Sequence, residues 1–293
     1  MRTTAAPGSA MKNADSATRA CTGTHCFAMA GITMWRSWAS SIASSAHWST
    51  QRMHDNGSIP CRMVFFDAGM TLIQPAPEFR DGIQHVLNEN GFQVKREDLD
   101  KHSADAVQYL ISEIHSGRRY AVSDEADEEF WGDVYERLVS RLGYSGDART
   151  LGLKIYYFYR QFHSFELFPN SLPTLQILKE RGFRLGVISN FSTMLRGVFE
   201  LRGLREFFDP FIVSAEVNMQ KPDAEIYTLA MERAGVAPDD CVMVGDNPVD
   251  DVRGAAAAGV RGVLIDRFNR NPDAPPPRIT TLAQLPGLLS LRN

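Results

Sequence analysis

The sequence predicts an α/β protein whose doubly wound parallel sheet is interrupted by an inserted α-helical segment. Short, almost continuous apolar runs recur along the chain, as expected for strands that are covered on both faces. Helical segments alternate with these runs through short connections, which favours parallel strands. More than a hundred residues of mostly helical pattern separate the first run from the second, and this length predicts the insertion.

The apolar runs give the positions of the strands. They are predicted at residues 63–68, 185–190, 211–215, 241–246 and 262–266. Three helical segments end at Gly182, Gly203 and Gly235, and glycine suits the left-handed conformation that commonly closes a helix. In such a sheet the ligand site lies beyond the carboxyl ends of the strands. The residues at those ends are therefore the candidates for function.

The insertion is predicted to be a helical cap domain over residues 79–167, with residues 63–78 and 168–293 forming the core. Its acidic run at residues 124–129 is interpreted as a solvated helix start, where negative charge suits the helix dipole. Its aromatic run at residues 156–159 is interpreted as packing within the cap rather than as a cofactor site.

Residues 1–62 differ from the rest of the chain. They are rich in Ser, Thr, Ala and Arg, contain only Asp15 and Asp55 as acids, and show no sustained period. Three interpretations compete: a disordered extension, an organelle transit peptide, which this composition resembles, and a translation start at Met63. We expect a disordered extension of whichever origin.

The composition excludes some classes of protein. Of the 293 residues, 44% are hydrophobic and 23% charged, which is typical of a globular protein with a buried core. The net charge of −4 gives no electrostatic reason to expect nucleic acid or an anionic membrane as a partner. No apolar run approaches the roughly 18 residues that span a bilayer. We therefore expect a cytoplasmic protein, or an organellar one if residues 1–62 are a transit peptide. The scattered cysteines indicate no zinc site; they are Cys21, Cys26, Cys61 and Cys241.

Chemically useful side chains lie at the predicted strand ends. Asp67 ends the first strand, Ser189 and Asn190 end the second, Lys221 follows the third, and Asp246 ends the fourth. Each of these residues alone is commonplace in a turn or loop. Because parallel strands end at one edge of a sheet, we expect all of these side chains to lie close together. This convergence of carboxylates, hydroxyl and ammonium predicts a catalytic site.

The same residues, in this order, resemble the motifs of one family. An Asp-x-x-x-Thr motif, a Ser-Asn pair after a strand, a Lys-Pro pair and a Gly-Asp motif followed by a second Asp are the signature of the haloacid dehalogenase-like superfamily. Here they occupy residues 67–71, 189–190, 221–222 and 245–251. The likeness runs from Met63 to about residue 290 and is to the branch with a helical cap inserted after the first motif. It implies a Rossmann-like core and a hydrolase.

The resemblance assigns a role to each motif residue. Asp67 would be the nucleophile that forms a covalent aspartyl intermediate. Mg²⁺ would be bound by Asp67, Asp246 and the backbone carbonyl of Gly69, since oxygen ligands suit this ion. Lys221 and Ser189 would act in catalysis by holding the oxygens of the transferred group. The substrate would be a small phosphorylated metabolite.

Three further residues complete the candidate site. Asn190 is expected to shape its loop or to bind substrate. Thr71 is a candidate for substrate binding, although orienting the first-motif loop is its favoured role. Asp250 and Asp251 are adjacent, so only one should face the metal, and the family spacing points to Asp251, acting in the outer sphere or through water.

One departure from the family pattern concerns Gly69. Phosphatases of the family carry there a second Asp, which protonates the leaving oxygen. Dehalogenases and phosphonate-cleaving members also lack this Asp, but the dehalogenases typically lose the Gly-Asp motif, which this chain keeps. Phosphonate cleavage uses a cap lysine, and we expect Lys95 and Lys101 to be exposed helix residues instead. Four cap histidines could supply an acid: His85, His102, His115 and His163.

The leading hypothesis is a Mg²⁺-dependent phosphohydrolase. One alternative is a hydrolase of carbon–halogen or carbon–phosphorus bonds. The other is a weakly catalytic member that binds a phosphorylated ligand or a protein partner through the cap.

Overall fold

The predicted fold class is confirmed. The computed structural model describes residues 58–275 and 277–292. Its main sheet has six parallel strands in the order β6-β5-β2-β7-β8-β9, flanked by two pairs of short strands, β1-β10 and β3-β4. The strands are β1 Ile59–Cys61, β2 Met63–Phe66, β3 Ile73–Pro75, β4 Phe165–Leu167, β5 Arg184–Ser189, β6 Phe211–Val213, β7 Cys241–Gly245, β8 Arg261–Ile265, β9 Arg278–Ile279 and β10 Leu289–Leu291.

Helices surround the sheet, and Gly182, Gly203 and Gly235 follow helix ends with positive φ, as predicted. The α-helices are α1 Phe79–Glu89, α2 Arg96–His115, α3 Asp124–Arg141, α4 Ala148–Tyr159, α5 Ser171–Glu180, α6 Leu195–Leu201, α7 Ser214–Val217, α8 Ala224–Ala234, α9 Gly254–Ala257 and α10 Leu285–Leu288. A π-helical turn, Pro248–Arg253, follows β7. No helix in the described part of the chain is both long and apolar enough to cross a membrane.

The central strand β2 shows why the sheet is doubly wound. All four of its side chains are buried, and they alternate between two hydrophobic clusters on opposite faces of the sheet. Val64 and Phe66 belong to one cluster, and Met63 and Phe65 to the other. Because side chains of a strand alternate in direction, a strand covered on both faces reads as a continuous apolar run.

The predicted boundary at residue 62 is wrong. Strand β1 precedes it and pairs in parallel with β10, with Ile59 opposite Leu289. Ile59 is 3% exposed and Cys61 is fully buried, so both side chains belong to the core cluster. The partner strand comes from the other end of the chain, which no local pattern could reveal. Residues 1–57, including Cys21 and Cys26, lie outside the described residues.

Helices α1 to α4 enclose a hydrophobic cluster of their own. Its fully or almost fully buried members include Ile83, Leu87, Phe130, Leu138 and Ile155. The chain enters this helical group through β3 and leaves it through β4, and the two strands pair antiparallel. The separate cluster supports the proposed division into core and cap. The residues 165–167, assigned to the cap from sequence, pair with the strand that leaves the core.

The acidic run of the cap is a helix start, but its interpretation as solvated is wrong for Asp127. Helix α3 begins at Asp124, and the side chain of Ser123 caps it. Asp127 is only 7% exposed, and its Oδ2 accepts a hydrogen bond of 2.9 Å from the Tyr156 hydroxyl. Position 127 follows the helix start by one turn, and that turn faces inward. Tyr156 and Tyr159 are buried in the cap cluster, as the packing interpretation expected.

Candidate active site

Asp67 directly follows β2 at the carboxyl edge of the sheet. Its backbone N–H donates to the carbonyl of Val244 on β7 at 2.9 Å, which continues the sheet pairing past the end of β2. The parallel neighbours β5 and β7 end beside it, in Ser189 and Gly245. The pairing of three strands therefore brings Asp67, Ser189 and Asp246 to one edge.

Two donors converge on one oxygen of Asp67. Its Oδ1 accepts from Ser189 Oγ at 3.1 Å and from Lys221 Nζ at 2.8 Å. The same ammonium donates to Asp251 Oδ1 at 2.5 Å. Burial works against a charged Lys221, but the carboxylates of Asp251 and Asp67 outweigh it and raise the pKa of Lys221 well above its usual value. Lys221 is therefore a fixed positive charge beside Asp67.

Asn190 holds the backbone of Lys221. Its Oδ1 accepts from the Lys221 N–H at 2.8 Å, and its Nδ2 donates to the Lys221 carbonyl at 2.9 Å. Two opposed hydrogen bonds to one residue fix the position of that residue. These bonds favour the loop-shaping role expected for Asn190; its side chain also lines the cavity, and substrate binding stays a prediction.

Asp251 is held at the site by its own turn. Its Oδ2 accepts from the backbone N–H of Asn247 at 3.0 Å. The carboxyl packs directly on Gly245, where an added Cβ would lie 2.1 Å from Asp251 Cγ. A side chain at position 245 would therefore displace Asp251. The neighbouring Asp250 instead accepts from the side chain of Asn247 at 3.0 Å and through its carbonyl from Tyr227.

Three carboxylates form a cluster that fits a divalent cation. Asp67, Asp246 and Asp251 each offer one oxygen, and these oxygens all lie within 4.8 Å of one another. Burial and the neighbouring carboxylates raise the pKa of Asp246 well above its usual range. Burial likewise raises the pKa of Asp251 to about 6, against the opposing charge of Lys221. Three carboxylates thus lie near the single ammonium of Lys221, and their hard oxygen atoms are ligands that suit Mg²⁺.

Gly69 lines the same site without strain. Its φ is not positive, and an added Cβ would meet only Phe191 Cε2, at 3.9 Å. The left-handed residue of this turn is Met70, with φ of 56°. Thr71 is fully buried behind the turn, its hydroxyl has no hydrogen-bond partner among the described residues, and its carbonyl accepts from Arg267 at 2.7 Å. The structure thus places Thr71 outside the cavity lining.

A cavity of about 300 Å³ lies between these residues and the inserted helices. One wall is polar and belongs to the sheet edge; it includes Asp67, Ser189, Asn190, Lys221, Asp246 and Asp251. The opposite wall is aromatic and belongs to the inserted segment; it comprises Phe79, Tyr120, Trp131, Tyr135, Tyr156 and Tyr159. Asp127 and Arg160 are the charged residues of this second wall.

The cap residues in the lining were missed from sequence. Tyr120 reaches the polar wall, where burial and the carboxylate of Asp250 raise its pKa and a hydrogen bond with the Asn190 side chain opposes the rise. Asp124 crosses to the core and accepts from the Thr193 N–H at 2.8 Å and from its hydroxyl at 2.5 Å. No local signal marks Tyr120. That part of the acidic run faces the protein interior could be seen only from the packing of α3 in the structure.

The polar cap residues singled out from sequence lie elsewhere. His85 and His163 are exposed, His102 is half-buried beside Asp105, and none of the three lines the cavity. The side chain of His115 lies outside the described part of the structure. Lys95 and Lys101 are exposed, as expected, and are absent from the lining.

Known proteins resemble this chain in sequence. Phosphoserine phosphatase of Thermus thermophilus is 38% identical over 41% of this chain and 49% of its own length. The (S)-2-haloacid dehalogenase 1 of a Pseudomonas species is 34% identical over 44% of this chain and 58% of its own length. The chain thus spans about half the length of each of these two relatives.

The fold has solved counterparts. The HAD-hydrolase YfnB of Bacillus subtilis superposes with a TM-score of 0.64 at 19% identity, over 79% of this chain and 99% of that one. A family model for haloacid dehalogenase-like hydrolases matches residues 61–259, about two thirds of the sequence. With the strand order and the residues at the strand ends, this match shows that the chain belongs to the haloacid dehalogenase-like hydrolase family.

Proposed function

We propose that this hydrolase is a Mg²⁺-dependent phosphatase that removes phosphate from a small phosphorylated metabolite through an aspartyl-phosphate on Asp67. The observation that carries the proposal is the contact of Lys221 and Ser189 with the same carboxylate oxygen of Asp67. A carboxylate that attacks a phosphate dianion meets like-charge repulsion, so fixed donors beside the nucleophile are the first requirement.

The carboxylate cluster would hold the metal. Asp67, Asp246 and the carbonyl of Gly69 are the proposed ligands, and Asp251 would act on the site through water. Asp251 is already bonded to Lys221 and Asn247, which supports an indirect role. When bound, Mg²⁺ would neutralise charge on the phosphoryl oxygens. The excess of buried carboxylate over ammonium at this edge supports the ion.

Two displacements at phosphorus make up the reaction. The Asp67 carboxylate attacks phosphorus, the bond to the leaving oxygen breaks, and that oxygen departs with the electron pair. Lys221 and Ser189, which lie beside Asp67, would also hold the phosphoryl oxygens, where negative charge must be stabilised. Water then attacks the phosphorus of the aspartyl-phosphate, the bond from phosphorus to the Asp67 oxygen breaks, and Asp67 leaves as the carboxylate. The attacking water gives one proton to solvent and becomes part of the released phosphate. With Gly69 at the usual acid position, the leaving oxygen takes its proton from water.

A second candidate activity is the cleavage of a carbon–halogen bond. The relative from Pseudomonas named as a haloacid dehalogenase favours it, and the relative from Thermus thermophilus named as a phosphatase favours the first. The Asp246 carboxylate, a proposed metal ligand, favours the phosphatase, because halide departure requires no metal.

The location of the protein stays a prediction, whether it is cytoplasmic or, with residues 1–62 as a transit peptide, organellar.

A product assay tests the proposal. We expect phosphate release from phenyl phosphate that requires Mg²⁺, is lost on chelation, and falls at least about a thousandfold in Asp67→Asn. Asp239→Asn, at an exposed aspartate of the core, is the matched control and should keep full activity. Phosphate release that survives Asp67→Asn overturns the proposal. Halide release from 2-chloropropionate without phosphate release would establish the second candidate, and absence of both products with stabilisation by inorganic phosphate would indicate a binding protein.

A further inference from the structure

The inserted segment gives the cavity beside Asp67 an aromatic wall. Six aromatic rings come from the inserted segment, and Phe165 and Phe191 extend this surface toward the sheet. We propose that the site is selective for phosphate esters whose leaving group is a flat aromatic alcohol. The proposal rests on the phosphatase function proposed above and names the substrate class of the same site.

Two of the four tyrosines of the wall, Tyr156 and Tyr159, have their hydroxyls hydrogen-bonded within the protein. The Tyr156 hydroxyl donates to Asp127 at 2.9 Å. The Tyr159 hydroxyl lies 3.1 to 3.3 Å from three backbone carbonyls at the entrance to α1, those of Pro77, Glu78 and Phe79. Because these two polar ends are engaged inside the protein, Tyr156 and Tyr159 present ring faces and edges to the cavity, which pair best with another ring.

The rings are also held in place by one another. Tyr120 stacks on Phe130 with centroids 4.6 Å apart, and Trp131 stacks on Tyr135 at 5.9 Å. Phe165 meets Phe191 edge to face at 5.4 Å. Rings fixed in advance lose little conformational freedom when a ligand binds, so the wall is prepared for a rigid, planar group.

The charges of the wall are engaged with one another. Arg160 Nη1 lies 3.5 Å from Asp124 and 3.9 Å from Asp127. Two carboxylates thus face one guanidinium, and one of them also accepts from Tyr156. A second anion such as a substrate carboxylate would be repelled by this pair. The arrangement therefore favours a substrate whose organic part carries no carboxylate.

The chemistry of the nucleophile loop points to the same class. No acid stands at position 69, where a general acid would contribute about a hundred- to ten-thousand-fold. A phenolate is a stable anion, so when the phosphorus–oxygen bond breaks it departs with the electron pair and takes a proton from water afterwards. At about 300 Å³ the cavity is at the small end of ligand pockets, which suits one ring with short substituents.

Binding of two unreactive phosphonates tests the ring preference without turnover. With Mg²⁺ present, phenylphosphonate should bind the full chain at least about fivefold more tightly than methylphosphonate by calorimetry. Trp131→Leu removes a partly exposed ring of the wall. The substitution should weaken the affinity for phenylphosphonate by about two- to tenfold and leave the affinity for methylphosphonate unchanged. Tyr144→Leu, at a half-buried cap ring outside the lining, should change neither affinity.

Turnover of benzyl and ethyl phosphate separates ring recognition from leaving-group acidity, because both release a primary alcohol. Benzyl phosphate should have the higher kcat/KM, mainly through KM. Equal affinities for the two phosphonates, equal weakening of both by Trp131→Leu, or a preference for phosphoserine over benzyl phosphate would overturn the inference. If no ester is hydrolysed, the proposed function fails, and the phosphonate affinities still decide whether the wall selects a ring.

Discussion

The ammonium of Lys221 lies 2.8 Å from Oδ1 of Asp67 and joins that carboxylate to Asp251, 2.5 Å away on its other side. Lys221 is 3% exposed, so this charge is held in place rather than moving in solvent. The contact couples the residue after β2 to the turn after β7 and explains how Asp67, the proposed nucleophile, keeps one orientation.

Loss of this cation should impair both catalysis and stability. In Lys221→Met, kcat for phenyl phosphate should fall at least about a hundredfold, because no fixed charge then faces the transferred group. The free energy of unfolding without Mg²⁺ should fall by about 3–5 kcal/mol at neutral pH, since two buried carboxylates lose their partner. Lys179→Met, at an exposed helix position, should be neutral in both assays. A kcat within about threefold of the unmodified enzyme would contradict the role of Lys221.

An acid introduced at position 69 should broaden the substrate range. The backbone there accepts a side chain, with Phe191 at ordinary contact distance. Gly69→Asp should raise kcat on ethyl phosphate at least about tenfold, a part of the effect typical of general acids. Gly69→Asn has the same shape and no proton to give, so it should not.

The Gly69→Asp variant should also change how the rate of hydrolysis depends on the pKa of the leaving group. Across substituted phenyl phosphates, the rate of the unmodified enzyme should fall steeply as leaving-group pKa rises, and Gly69→Asp should flatten the slope. A shallow slope before mutation would show that another acid already serves the leaving oxygen. Asp127 would then be the first residue to test, because it lines the cavity and His85, His102 and His163 do not.

Strand β1 should contribute measurably to stability. A chain that begins at Met63 lacks the buried side chains of Ile59 and Cys61 and leaves β10 without its partner. Compared with a chain that begins at Ser58, it should lose about 2–4 kcal/mol of unfolding free energy in urea. Equal stability of the two chains would show that the β1–β10 pair is dispensable.

Protonation of Asp127 should be visible in stability against pH. Burial raises the pKa of Asp127 to about 6, above the usual ~3.9. The folded chain therefore binds this proton more tightly than the unfolded chain. The contribution of protonated Asp127 to the free energy of unfolding is therefore complete below about pH 4 and is lost as the pH rises through about 6.

The Asp127→Asn variant isolates this contribution, because asparagine does not titrate and can still accept from Tyr156. Between pH 4 and pH 7 the unfolding free energy of the variant should rise relative to the unmodified protein by about 1–3 kcal/mol. Urea unfolding of both proteins at each pH gives the difference. A difference that stays constant with pH would contradict the raised pKa.

The core of the site could be predicted from sequence because parallel strands all end at one edge. Asp67, Ser189 and Asp246 lie directly at strand ends, so the strand pattern was enough to bring them together. Lys221 follows β6 by several residues, and the same strand-end argument placed it at this edge. The position of Lys221 between two carboxylates could be seen only in the structure.

The cap side of the site could not be predicted. Which face of α3 turns to the cavity depends on its packing against α4. From sequence, Asp127 was therefore interpreted as part of a solvated helix start, and Trp131 was not singled out. Thr71 matched the motif, yet its side chain is fully buried. Strand β1 has three residues and a partner more than two hundred positions away, and neither fact leaves a periodic signal.

The covalent intermediate on Asp67 is the central claim, and trapping it is the most direct test. The enzyme with Mg²⁺ is mixed with ³²P-labelled phenyl phosphate, quenched in acid, reduced with borohydride to mark the acyl phosphate, and digested for peptide mapping. We predict label before reduction, and the borohydride mark after it, at Asp67, with neither in Asp67→Asn. Phosphate release without any labelled protein, or a mark at another residue, would contradict the account.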